Sequence, residues 1–184
     1  MRPRTDRDDL KKYSEGLIVT SACLGGEVPQ KIRNGLISEA EEAIEWYKSV
    51  FGDDYYLELQ RHKATVPRAN HETFQIQQEV NEVIISLAQK HNVKLICTND
   101  VHFVNEEHAE AHDRLICLST SRDLDDETRM LYSKQEWFKT TEEMNKVFAD
   151  IPEALANTNE ILDKVEFYSI DNPPIMPTFN IPEE

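Results

Sequence analysis

Apolar residues recur at helical spacing in two long stretches. Ala40, Ala43, Ile44, Tyr47, Val50 and Phe51 predict a helix from Ser38. Glu39, Glu41, Glu42 and Glu45 crowd its first half, where the positive end of the helix dipole favours them. Phe74, Ile76, Val80, Val83, Ile84, Leu87 and Ala88 predict a longer helix over 70–91, with Asn92 as its stop. A third helix is expected over about 106–118, and a short one over 8–13 that ends near Gly16. Three short β-branched or aromatic runs, 17–20, 55–60 and 94–98, read as strands. The first empties into Ser21-Ala22-Cys23-Leu24-Gly25-Gly26, a flexible loop, and Gly52-Asp53-Asp54 breaks the helix before the second. Strands alternating with helices imply an α/β domain with parallel strands.

The character changes after Arg122. Residues 123–129 are polar and loop-like. Three short helical segments follow, each with a start signal. Ser133 precedes 134–138; Thr140 with Glu143 forms a capping box; Asp150 with Glu153 around Pro152 forms another. From Tyr168, Pro173, Pro174, Pro177 and Pro182 forbid regular helix and predict an extended linker. The expected division is therefore 1–122, an α/β part; 123–167, a helical appendage; and 168–184, a linker.

The chain of 184 residues carries 35 acidic and 20 basic side chains, a net charge of −15. A free-standing duplex-DNA clamp needs a Lys/Arg stripe, so this acidity counts against one. Residues 132–184 alone hold four basic and eleven acidic side chains. No run is long and apolar enough to cross a membrane, and no apolar N-terminal core resembles a signal peptide. The three Cys form no CxxC pair, so a disulfide framework is not expected and a reducing cytoplasm is the expected compartment. The opening Arg2-Pro3-Arg4 looks cut from something longer.

Candidate chemistry gathers at the predicted strand ends, where parallel α/β folds place ligands and catalysts. Cys23 follows the first strand, His62 the second, and Asp100 and His102 the third. In an extended D-x-H pair both side chains point to one face, about 6–7 Å apart along the backbone, and reach one cation or bridge two. Alternatively, Asp100 caps a turn and His102 is a partly exposed polar residue. Cys23 beside Gly-Gly, taken alone, reads as a small buried filler rather than a ligand. His62 reads as a ligand, a phosphate donor or a surface residue. Cys97 and Cys117 fall in apolar surroundings and are expected in the core. His112 beside Asp113 reads as a helix ion pair, or as a partner behind a metal site. No Walker loop, GxGxxG, HExxH or GxSxG is present, which excludes those nucleotide-binding, zincin and serine-hydrolase readings.

The runs SEGLIVTSACLGGEVPQ, YYLELQRH, LICTNDVHF, AHDRLIC, YSKQEWFKTTEEM, FADIPEALANTNEI and MPTFNIPEE occur in this order. Together they closely resemble the alpha-subunit family of the bacterial replicative DNA polymerase III, within and just beyond its N-terminal PHP domain. The resemblance implies a distorted β/α barrel whose metal cluster uses His, Asp, Glu and Cys at strand ends. It places Cys23, Asp100 and His102 at three metal-ligand positions converging on one rim, and leaves His62 as a weaker substrate-binding candidate. In that family an HxH-containing strand and further ligands precede the counterpart of Arg2, and the palm follows the counterpart of Glu184. The expected architecture is thus an incomplete PHP-type barrel, an open and mostly parallel sheet with helices, plus a helical and Pro-rich extension.

The same resemblance sets the functional expectations. The parent would be a DNA-directed DNA polymerase acting on DNA and deoxynucleotides, with magnesium at its polymerase site. Its PHP domain would carry zinc or manganese, with iron possible, for 3′–5′ exonuclease-type phosphoester chemistry. The alternative is a scaffold that braces the polymerase and docks a separate proofreading exonuclease. That exonuclease and a sliding clamp would be partners in a cytoplasmic replicase. The chain on its own is expected to be inactive, to bind metal weakly or not at all, and to self-associate through an exposed sheet edge.

Overall fold

The computed structural model describes residues 4–178. The opening Arg2-Pro3 and the last stretch of the expected linker, 179–184, lie outside the described residues. Three parallel strands, β1 (Val19–Thr20), β2 (Tyr55–Leu59) and β3 (Lys94–Cys97), form one sheet in the order β1-β2-β3. In register, Val19 faces Tyr55, and Leu57 faces Leu95. The helices are α1 (Arg7–Lys12), α2 (Glu27–Arg33), α3 (Ile37–Phe51), α4 (Pro67–Ala69), α5 (Ile76–His91), α6 (Ala109–Thr120), α7 (Thr141–Val147) and α8 (Pro152–Lys164). A π-helical turn at Asn70–Gln75 joins α4 to α5, so the helix expected over 70–91 runs as one rod with a wide turn at its start.

Every residue of β2 is buried. Successive side chains of a strand point to opposite faces, and Tyr55, Leu57 and Leu59 enter the main core. They pack there with Ala40, Ala43, Ile44 and Phe51 of α3 and with Val80, Ile84, Leu87 and Ala88 of α5. These are the positions that the helical periodicity selects. Asn92 ends α5 in the left-handed conformation at φ 51°, its N–H returning to Ala88 and Gln89, a common helix stop. The second face of β2 carries Tyr56 and Glu58. Tyr56 Oη donates to Glu160 and accepts from Lys164 of α8, both at 2.8 Å. Asn157 of the same helix donates to the Leu95 carbonyl at 2.7 Å. The appendage therefore covers the β3 side of the sheet, where open backbone would otherwise invite pairing.

Four local expectations are corrected. The first strand is only two residues long, because Ser21 and the loop after it turn away after one further bond, Ser21 N–H to Tyr56 O at 3.0 Å. The loop is followed by α2, unforeseen because only Val28 and Ile32 mark its apolar face, with Pro29 in the first turn, where proline is tolerated. The segment 134–138 is extended rather than helical. Lys134 takes φ 65°, the Glu136 carboxylate accepts from the N–H and hydroxyl of Ser133, and Trp137 bridges Phe103. Finally, Asp150 does not cap α8. Ile151 holds that position without a side-chain bond, while Asp150 is drawn to Arg61. The Thr140–Glu143 capping box forms as expected.

Candidate metal and phosphoester site

The loops after all three strands meet at one end of the sheet. Under them a polar tie joins the strands. Glu58 accepts from Thr20 of β1 at 2.7 Å, from Gln60 at 2.8 Å, and from Thr98 just past β3. The Glu58 N–H donates to Ser21 Oγ at 2.8 Å. A buried carboxylate with several donors is satisfied rather than stranded, so Glu58 sets the spacing of the strand ends.

Cys23 sits on the loop after β1, where the backbone is compact. Gly26 N–H donates to Cys23 O at 2.8 Å. A Cβ on Gly26 would lie 2.0 Å from Ser21 O, so only glycine permits this fold-back. Ala22 beside it adopts φ 60° and Asp100, after β3, adopts φ 44°. Such backbone costs energy for residues with a Cβ, less so for Asp.

A cavity of about 190 Å³ opens between these loops, with Cys23, His62, Asp100, Tyr132 and Glu136 among its walls. Cys23 and Asp100 are thus brought to one hollow from different strands. His102 is not among the walls. It is exposed, and its ring packs on Tyr132 and His112 with centroids 4.7 and 5.6 Å away. Among the described residues, no three His, Cys, Asp or Glu side chains stand close enough to share an ion. The donors gather on one side without closing into a cluster.

His62 is a wall rather than a free donor. It is 2% exposed. Its N–H donates to Gln77 Oε1 at 2.8 Å, Nδ1 accepts from the Gln77 amide at 3.0 Å, and Nε2 donates to Asn99 O at 3.0 Å. Both ring nitrogens are used. Burial holds its pKa below the ordinary value despite the Glu136 carboxylate, whose Oε1 lies 3.8 Å from Nδ1.

The D-x-H loop is held by the extended segment that follows α6. His102 N–H donates to Glu136 O at 2.8 Å. The Asn99 amide donates to the carbonyls of Gln135 and Trp137 at 2.9 and 2.7 Å. Asn99 therefore grips this segment with its side chain and His62 with its carbonyl. Glu136 is itself 2% exposed, and its Oε2 has no hydrogen-bond partner among the described residues.

The donor set suits a soft or borderline cation. It offers a thiol, a carboxylate, an imidazole with one nitrogen directed by its own chain, and a buried carboxylate oxygen without a partner. The other thiols do not compete. Cys117 is buried, and burial pushes the buried Cys97 thiol up to about 12. Asp113 does not pair with His112. It takes both guanidinium nitrogens of Arg129, at 2.5 and 3.0 Å, pinning the loop that leads to Tyr132. Tyr132, Glu136, Gln77 and Asn99 were not singled out from sequence. Gln77 alone carried a usable signal, a polar residue on the apolar face of a helix.

The PHP domain family model matches residues 1–62. Along its whole length the chain is 43% identical to the DNA polymerase III subunit alpha of Borreliella burgdorferi. It is 38% identical to that of Campylobacter jejuni over 99% of the chain, and 35% identical to that of Helicobacter pylori over 96%. In each case it spans 15% of the relative's own length.

Proposed function

We propose that this chain, which matches the PHP domain model over residues 1–62 and is similar along its whole length to DNA polymerase III alpha subunits, supplies Cys23, Asp100 and His102 to a metal centre for phosphoester hydrolysis at a DNA end. The carrying observation is that Cys23 and Asp100, from the ends of β1 and β3, line one cavity, and that Tyr132, another of its walls, is hydrogen-bonded to His102 just outside it. Zinc, manganese or iron suits mixed thiolate, carboxylate and imidazole ligation better than magnesium does. When bound, such a metal activates water and neutralises charge on a phosphoryl group. Around it, Gly26 fixes the loop that presents Cys23. Neutral, fully bonded His62 forms a wall that adds no charge. Asn99 and Glu136 O hold the D-x-H loop in place.

In the whole subunit this region would act beside a magnesium-dependent polymerase site using DNA and deoxynucleotides, in a replicase with a proofreading exonuclease and a sliding clamp. The division into a PHP part to residue 122, a helical appendage and a linker belongs to the same proposal, as does a cytoplasmic setting. Among the described residues β1 pairs on one side only, and this edge favours self-association of the isolated chain.

A second reading is a scaffold that docks the proofreading subunit, its metal serving stability alone. The acidic helical appendage supports it, with eleven acidic and four basic side chains over 132–184. Replacing Cys23, Asp100 or His102 by Ala in a full-length subunit separates the two. Loss of phosphodiesterase activity with the fold intact supports hydrolysis. Unchanged nuclease activity with lower thermal stability or lost partner binding supports the scaffold.

A further inference from the structure

The two ring nitrogens of His102 are committed differently. Nδ1 lies 2.6 Å from the Asp100 carbonyl, which only accepts, so Nδ1 carries the proton. In the neutral ring Nε2 is then the lone-pair nitrogen, the one able to take a metal. That lone pair is already occupied. Tyr132 Oη lies 3.2 Å from Nε2 and has no other partner among the described residues. The Tyr132 ring packs against both His102 and His112, with centroids 4.7 and 5.0 Å away, and it also lines the cavity shared by Cys23 and Asp100. Arg129, gripped by buried Asp113, fixes the loop just before it.

We propose that Tyr132 is a built-in competitor for the metal at His102: its hydroxyl holds Nε2 in the metal-free chain and must swing away before that nitrogen can coordinate. The inference rests on His102 being a ligand. The same contact keeps the ring turned correctly, so one residue both orients the ligand and weakens its loading.

The test is a cobalt(II) titration of a full-length alpha subunit carrying this sequence, followed by d–d and thiolate-to-metal absorption, for wild type, Tyr132→Phe, His102→Ala and the double variant. Tyr132→Phe keeps the ring and removes one hydrogen bond, so half-saturation should fall about two- to tenfold. His102→Ala should raise it, and adding Tyr132→Phe to that variant should change nothing further. An unchanged or raised half-saturation in Tyr132→Phe, with His102→Ala still weakening binding, overturns the competitor and leaves the ligand reading standing. If His102→Ala binds cobalt like wild type, or wild type binds none, the ligand reading fails and takes the competitor with it. A second measurement needs no metal. The 15N shift of His102 Nε2 in the metal-free chain should move toward that of an unbonded nitrogen in Tyr132→Phe, and no movement also overturns the proposal.

Discussion

The Arg61 guanidinium, just past β2, holds both carboxylate oxygens of Asp150, at 2.5 and 2.8 Å. It also donates to the Val147 carbonyl at 3.1 Å and lies 5.1 Å from the centre of the buried Phe148 ring. One side chain thus joins the sheet to the α7–α8 junction. The carboxylate is largely exposed, so the ion pair alone is modest, whereas the guanidinium adds packing and a backbone bond. Asp150→Ala should cost about 1 kcal/mol, and Arg61→Ala about 2 kcal/mol. Urea melts check both. Equal costs would mean that the packing on Phe148 contributes nothing.

Gly26→Ala should disrupt the Cys23 loop, since the new Cβ meets Ser21 O at 2.0 Å. Gly25→Ala should be tolerated, its nearest neighbour being Cys23 Sγ at 3.6 Å. The contrast reads out as the rate at which an aromatic disulfide labels Cys23. The first variant should change it severalfold, with a stability loss of about 2 kcal/mol, while the second leaves it near wild type.

His62 links stability to acid. Its folded pKa lies below the unfolded value of about 6.5. The unfolded chain therefore takes up the proton first as pH falls. Stability from neutral His62 is complete above that value and is lost as pH drops through it toward the folded pKa. His62→Gln should cost about 1–3 kcal/mol at pH 7, by leaving Gln77 and Asn99 partly unpaired. It should also flatten the loss of stability between pH 7 and pH 5. Identical pH slopes for wild type and variant would contradict this.

The long-period elements were legible from the residues. Both long helices carry a full apolar stripe, and β2 is an unbroken buried run, so pattern alone located the core. What escaped depends on contacts across the chain. The segment 134–138 has helix-compatible residues, yet Glu136 bonds Ser133 locally while Asn99 and Phe103 capture its backbone from more than thirty residues away. Asp150 resembles a cap until Arg61 outcompetes the helix end for it. At the site, Cys23 and Asp100 stood out as donors at strand ends. The parts that shape the hollow, Tyr132 and Glu136, lie on that same misread segment or beside it. The likeness to the polymerase family marked the proposed ligands, and only the packing revealed how those side chains are held.

If Cys23, Asp100 and His102 serve one metal centre, metal analysis of a purified full-length alpha subunit carrying this sequence will differ from that of its Cys23→Ser, Asp100→Asn and His102→Ala variants. Each substitution should lower the bound zinc, manganese or iron per subunit while circular dichroism stays native. Wild-type metal content in all three variants would contradict the account.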